Sequence, residues 1–176
     1  MDDPPSRERP IPADWLVGRA LEAYLAENGF THEQYDAPRT PASFLGVSLS
    51  VPNPPHHRWA IMLHDLHHVA TGYGTDPAGE GEISAWEFRR GIRPLGLYTG
   101  AIVTSGVLLG VVVAPRRTLR AWRESARSGR ASLFHRRDLP FDAALGLPLG
   151  DLRRELGIPV AGLWRGRRGT HSRAPG

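Results

Sequence analysis

Twenty consecutive residues without a charge, Leu95–Ala114 (LGLYTGAIVTSGVLLGVVVA), constrain this chain more than any other stretch. As a helix the run would be about 30 Å long, close to the thickness of a bilayer core. Its glycines at 96, 100, 106 and 110 form two small-xxx-small pairs, which allow close helix approach. Thr99, Thr104 and Ser105 make it less apolar than most spanning segments. It reads first as a buried core helix. A lipid-facing or membrane-dipping element is the sharper alternative, and a true span comes third.

Pro115 then suits the first turn of another helix. Arg116, Arg120, Arg123 and Arg127 line one face of it, with Leu119, Trp122 and Ala126 on another. The plain reading is a solvated face, and the sharper one is a basic face on anionic lipid headgroups. No nucleic acid is expected as a partner, because aromatic interleaving is sparse and no groove-reading motif appears.

Charge divides the chain. Residues 1–88 carry five arginines against thirteen acids, and residues 89–176 carry seventeen against five. Such asymmetry points the second half towards an anionic surface. The start, MDDPPSRERPIP, has neither the apolar core of a signal peptide nor the acid-poor character of a transit peptide. The expected placement is cytoplasmic, peripheral to the inner face of the cell membrane.

The 176 residues fit one domain. Expected are a disordered tail over 1–13, a single helical domain over 14–160 and a basic flexible tail over 161–176. The pattern predicts helices from an Asp14 cap to Asn28, from His56 to Ala70, from Glu80 to Gly91 and over Leu149–Leu156. The proline-rich stretch 38–55 reads as an irregular link, and strand signals are weak. The fold class is therefore all-α, a helical bundle.

Cysteine is absent, so any metal must be held by nitrogen and oxygen. The residues for that lie in HDLHHVATGYGTDPAGE, His64 to Glu80. On a helix His64 and His68 stack one turn apart with Asp65 beside them, while His67 leans to the other flank. The glycine-rich turn would bring back a second helix led by Glu80, completing a His/Asp/His/Glu set. His57 and Glu87 are candidate outer partners, and Glu82 competes with Glu80 as the fourth ligand. Other metal motifs fit less well. In HExxH the glutamate is the base, and the shorter Asp65 transfers poorly to that role. An HD-type phosphohydrolase would need His32 or His56 and Asp138 to join the cluster.

HDLHH, the eleven residues VATGYGTDPAG and then Glu80 resemble the signature of the coenzyme Q (ubiquinone) biosynthesis protein four family, in a bacterial-type member. The later LGLPLGDLRRELGI resembles that family's closing segment. The likeness is loose over residues 15–160 and close over 64–80. It implies a nearly all-helical fold, peripheral membrane attachment and a divalent metal, zinc by resemblance, with Fe, Co, Mn and Mg left open. By the same resemblance the metal ligands are His64, Asp65, His68 and Glu80; His64 and Asp65 are also the catalytic candidates, as groups able to relay protons. A channel for a polyprenyl chain is implied, and Tyr73, Leu97, Val103 and Val107 are expected to line it.

The implied chemistry removes the ring carboxyl of a prenylated hydroxybenzoate-like precursor and replaces it by hydroxyl. Partners would be that precursor or another isoprenoid lipid, quinone-biosynthesis enzymes and a possible second copy of the chain. Two other functions compete: a non-catalytic lipid-binding scaffold for a biosynthetic complex and, more distantly, a metal-dependent hydrolase. Nothing in the sequence supplies a flavin or haem motif.

Overall fold

Glycine and proline set the ends of the helices. In the computed structural model, which describes residues 11–44 and 47–163, α1 (Val17–Asn28) closes on Gly29 at φ 71° and α3 (Pro55–Thr71) on Gly72 at φ 79°. Glycine adopts that left-handed cap without the Cβ clash other residues meet. α4 (Pro77–Arg90) starts three residues earlier than Glu80, because the Asp76 carboxylate accepts the Gly79 N–H at 2.6 Å. Glu80 therefore sits inside the first turn and does not open the helix.

Asp14 does not cap α1, whose first turn has no side-chain cap. The chain there is fixed from outside instead: Val17 N–H donates to Leu147 O at 2.9 Å, and Leu149 N–H to Trp15 O at 2.8 Å. Two residues expected in the tail over 1–13 are tied in beside them. Ile11 packs on the core and Ala13 O accepts from Gly150 N–H. At the other end Leu163 N–H donates to Thr71 O. The remaining tail expectations, over 1–10 and 164–176, lie outside the described residues.

After the short α2 (Glu33–Asp36), the expected irregular link is an antiparallel ribbon. β1 (Arg39–Phe44) pairs with β2 (Val47–Pro52), from Arg39 opposite Pro52 to Phe44 opposite Val47. A two-stranded ribbon has two free edges, so Pro41 and Pro52 can sit where no N–H is needed. The rest is helical, with α5 (Gly96–Val113), α6 (Pro115–Ser128), α7 (Phe141–Leu145) and α8 (Leu149–Glu155). Apart from this small ribbon, the described residues form the expected all-α bundle.

α4 is the hub. α5 and α6 both run along it and touch each other. A Cβ on Gly81 would collide with Gly110, and one on Gly106 with Ser84, so only glycine permits this spacing of α4 and α5. The expectation of a buried α5 is overturned. Only 28% of its apolar window is buried, and Leu97 is 95% exposed. Its glycine face meets α4, while the opposite face is left to solvent. On the other side of the core, Leu21, Leu66, Ile83, Trp86 and Leu152 close the space between α1, α3, α4 and α8. The buried Arg153 guanidinium joins the first and last described segments, donating to Ile11 O and Val160 O as well as to Ala70 O.

Candidate metal centre

His64 and His68 stand one turn apart on α3, and their Nε2 atoms face each other at 3.1 Å. Their other nitrogens are already committed. His68 Nδ1 lies 3.0 Å from Tyr73 O, and a carbonyl only accepts, so the proton sits on Nδ1. His64 Nδ1 donates to Glu87, at 2.9 Å from Oε1 and 3.1 Å from Oε2. With both Nδ1 atoms protonated, neutral rings would leave two Nε2 lone pairs confronting each other. Only a shared cation, whether a proton or a metal, relieves that repulsion.

Glu80, arriving on the first turn of α4, supplies the carboxylate. Its oxygens lie 3.6 Å from His64 Nε2 and 3.5 Å from His68 Nε2. One ligand atom from each of the three residues falls within 4.8 Å of the others, a group that could hold a metal ion. The side chains of His64 and Glu80 are 24% and 37% exposed while that of His68 is fully covered, so the group reaches the surface on one side. Three nitrogen and oxygen donors with an open flank fit a divalent cation that keeps positions for other ligands.

The support beneath this group is tightly bonded. Glu87 is fully buried and accepts from both His64 and His67, the latter at 2.7 Å. Burial works against its charge, yet His64 and the two histidine hydrogen bonds hold its pKa down at about 2. His64 is the converse: burial opposes its charge, but Glu87 and Glu80 carry its pKa well above the usual 6.5. His67 gives Nδ1–H to Glu87 and takes the Leu133 N–H on Nε2 at 3.0 Å. Both of its nitrogens are used, and burial lowers its pKa, so it braces the site as a neutral ring. Holding a ligand imidazole through a carboxylate in this way is the usual outer arrangement of metal sites.

Asp65, expected as a ligand, is placed elsewhere. Its carboxylate accepts the Tyr35 hydroxyl at 2.6 Å and the Tyr24 hydroxyl at 3.3 Å, and it is outside the three-residue group. Burial raises its pKa. Tyr24 also stacks on His68 with ring centroids 5.6 Å apart, so this corner abuts the cluster from the α1 side. Glu82, the competing fourth ligand, is buried and bonded to Arg117 at 2.6 Å and Arg120 at 2.9 Å. One turn on a helix is 3.6 residues, so residues 80 and 82 point apart, and only Glu80 turns to the histidines.

Of the outer partners, Glu87 is in place, whereas His57 bonds Thr99 Oγ1 at 3.2 Å and serves the α3–α5 contact. Asp138 is bonded to Arg136, which leaves the phosphohydrolase pattern incomplete. The four residues expected to line a lipid channel do not share a wall. Tyr73 is buried with its hydroxyl donated to Glu124, Val103 is buried, Val107 is half-buried and Leu97 points out of the molecule. Sequence reasoning missed the Tyr73 carbonyl, which orients His68, and the two phenols on Asp65. No protein-family model, curated protein or solved structure matches this chain.

Proposed function

We propose that this chain is a metal-dependent, membrane-peripheral enzyme of ubiquinone or prenylquinone-type biosynthesis, acting on the ring carboxyl of a prenylated hydroxybenzoate-like precursor. The observation that carries the metal reading is the pair of confronting Nε2 atoms with Glu80 beside them. The substrate class comes from the likeness of HDLHH, eleven residues and Glu80 to the coenzyme Q family signature.

His64, His68 and Glu80 would hold the cation, and zinc or ferrous iron suits two imidazoles and one carboxylate. When bound, such a cation supplies Lewis-acid polarisation to a carboxylate and a neighbouring phenolic oxygen. Glu87 and the Tyr73 carbonyl keep the two imidazoles aimed, and the partly open flank at Glu80 admits the ring. Loss of the carboxyl as carbon dioxide leaves its bonding pair on the ring carbon. Dioxygen takes up two electrons and leaves as hydrogen peroxide while water supplies the hydroxyl, so that ring acid, water and dioxygen give phenol, carbon dioxide and hydrogen peroxide.

A non-catalytic scaffold that presents such lipids is the second reading. Leu97 faces outwards, and the surface depressions of about 340 and 330 Å³ are lined by Arg93, Phe134 and Arg137 and by Arg136, Asp151 and Glu155, away from the cluster. The test is turnover of a prenylated 4-hydroxybenzoate by metal-loaded protein under air, followed by mass spectrometry. The enzyme reading expects loss of the carboxyl in the wild type and none in His64→Ala. Equal turnover in both would sink it, and no turnover with the lipid retained would favour the scaffold.

A further inference from the structure

α5 and α6 lie side by side on α4 and turn opposite kinds of surface away from it. α5 sets Gly106 and Gly110 against Ser84 and Gly81. α6 sets Thr118 against the same glycines and Ser125 against Trp86 O, to which it donates at 2.7 Å. At about 100° per residue, positions two steps away point to the far side. On α5 that face runs Leu97, Ala101, Thr104, Leu108 and Val112, with Leu97 95%, Leu108 62% and Val112 74% exposed. On α6 it is Arg116, Arg123 and Arg127, all exposed, with Leu119 among them at 48%; Arg120 stands in the same row, but its guanidinium is bonded to the buried Glu82. An aliphatic ridge and an arginine row are thus both turned away from α4, on two helices that touch each other.

The surrounding charge says what covers it. Residues 89–137 hold eleven arginines and a single acid, Glu124, which accepts the Tyr73 hydroxyl. Arg93, immediately before α5, is exposed, so cations stand at both ends of the ridge. A two-fold contact with another copy would set this basic field against itself with no acidic patch to answer it. A span would carry the charged α4 and α6 into the bilayer with α5, because the inner face of α5 is packed on them. Aliphatic side chains beside arginines suit the boundary of an anionic leaflet, where the helix lies flat and the guanidinium groups meet phosphates.

We propose that the joint outer face of α5 and α6 docks on an anionic bilayer, with the Leu97–Val112 ridge inserted between headgroups and the α6 arginines on lipid phosphates. This specifies the membrane surface of the proposed function, but it rests on the exposed faces and not on the metal. The test is cosedimentation of the full chain with vesicles of phosphatidylcholine alone or mixed with phosphatidylglycerol. Binding is expected to the mixed vesicles, at least tenfold weaker to the neutral ones, and to fall steeply with salt.

Leu108→Asp with Val112→Asp should abolish binding, and Arg116→Ser with Arg123→Ser should weaken it about fivefold for each arginine removed. All four positions are exposed, so melting temperatures should hold, and the comparison of lipids needs no variant. His64→Ala should bind vesicles like the wild type, which separates this surface from the metal reading. Equal binding to both lipids, no binding to either, or a dimer that the Leu108 and Val112 changes convert to monomer would overturn the proposal.

Discussion

Two carboxylates on neighbouring helices, Asp65 on α3 and Glu80 on α4, meet opposite fates. Asp65 is closed off, with two phenols supplying its hydrogen bonds from α1 and α2. Glu80 is open, facing two Nε2 atoms that lack donors of their own and reaching the surface. A polar cluster whose partners are all internal belongs to the architecture, whereas one left short of a cation is arranged for something that arrives. By that criterion the group that could hold a metal ion is His64, His68 and Glu80, and Asp65 ties α3 to the two tyrosines.

The largest loss is expected at His68. His68→Ala should lower zinc affinity by more than the ~10–100-fold that losing an outer partner costs, as read by competition against a chromophoric chelator. Glu87→Gln comes next, because the amide can still accept from one histidine but no longer offers charge to both. A loss of about 10–100-fold in zinc affinity is expected there, with the three ligands intact. If Glu87→Gln binds zinc like the wild type, the brace under His64 is irrelevant to the metal.

Tyr35→Phe probes the closed corner. Removing the 2.6 Å bond to a buried carboxylate should cost about 1–3 kcal/mol of stability in urea. Zinc affinity should stay within about threefold, because the phenol lies outside the ligand set. A collapse of zinc affinity in this variant would show that the two corners are one site.

The smallest expected effect is in the pH dependence of the metal-free protein. The folded pKa of His64 is raised, so its contribution is full below 6.5 and fades as pH rises through the raised value. The pKa of Glu87 is lowered, so its contribution is full above 4.5 and is lost as pH falls towards 2. A bound cation replaces the His64 proton, so zinc should flatten the alkaline side of the melting-temperature profile. An identical alkaline slope with and without zinc would contradict this.

Much of the open corner was legible from spacing. A step of 100° per residue removes His67 from the ligand face, and the eleven-residue gap with its glycines returns Glu80. The closed corner was not, because its phenols lie 41 and 30 residues from Asp65 and no local pattern links them. The α5 expectation failed for another reason. A helix apolar all round carries no amphipathic signal to say which face is inward, and only the glycine contacts with Gly81 and Ser84 decide it. The ribbon at Arg39–Pro52 was hidden by prolines that a free edge tolerates.

The most direct test is anomalous diffraction at the zinc edge from crystals of the zinc-loaded chain. One ion is expected about 2.0–2.2 Å from His64 Nε2, His68 Nε2 and a Glu80 oxygen, with Asp65 still bonded to Tyr35. An ion held elsewhere, no ion at all, or Asp65 released from its phenols to bind the metal would contradict it.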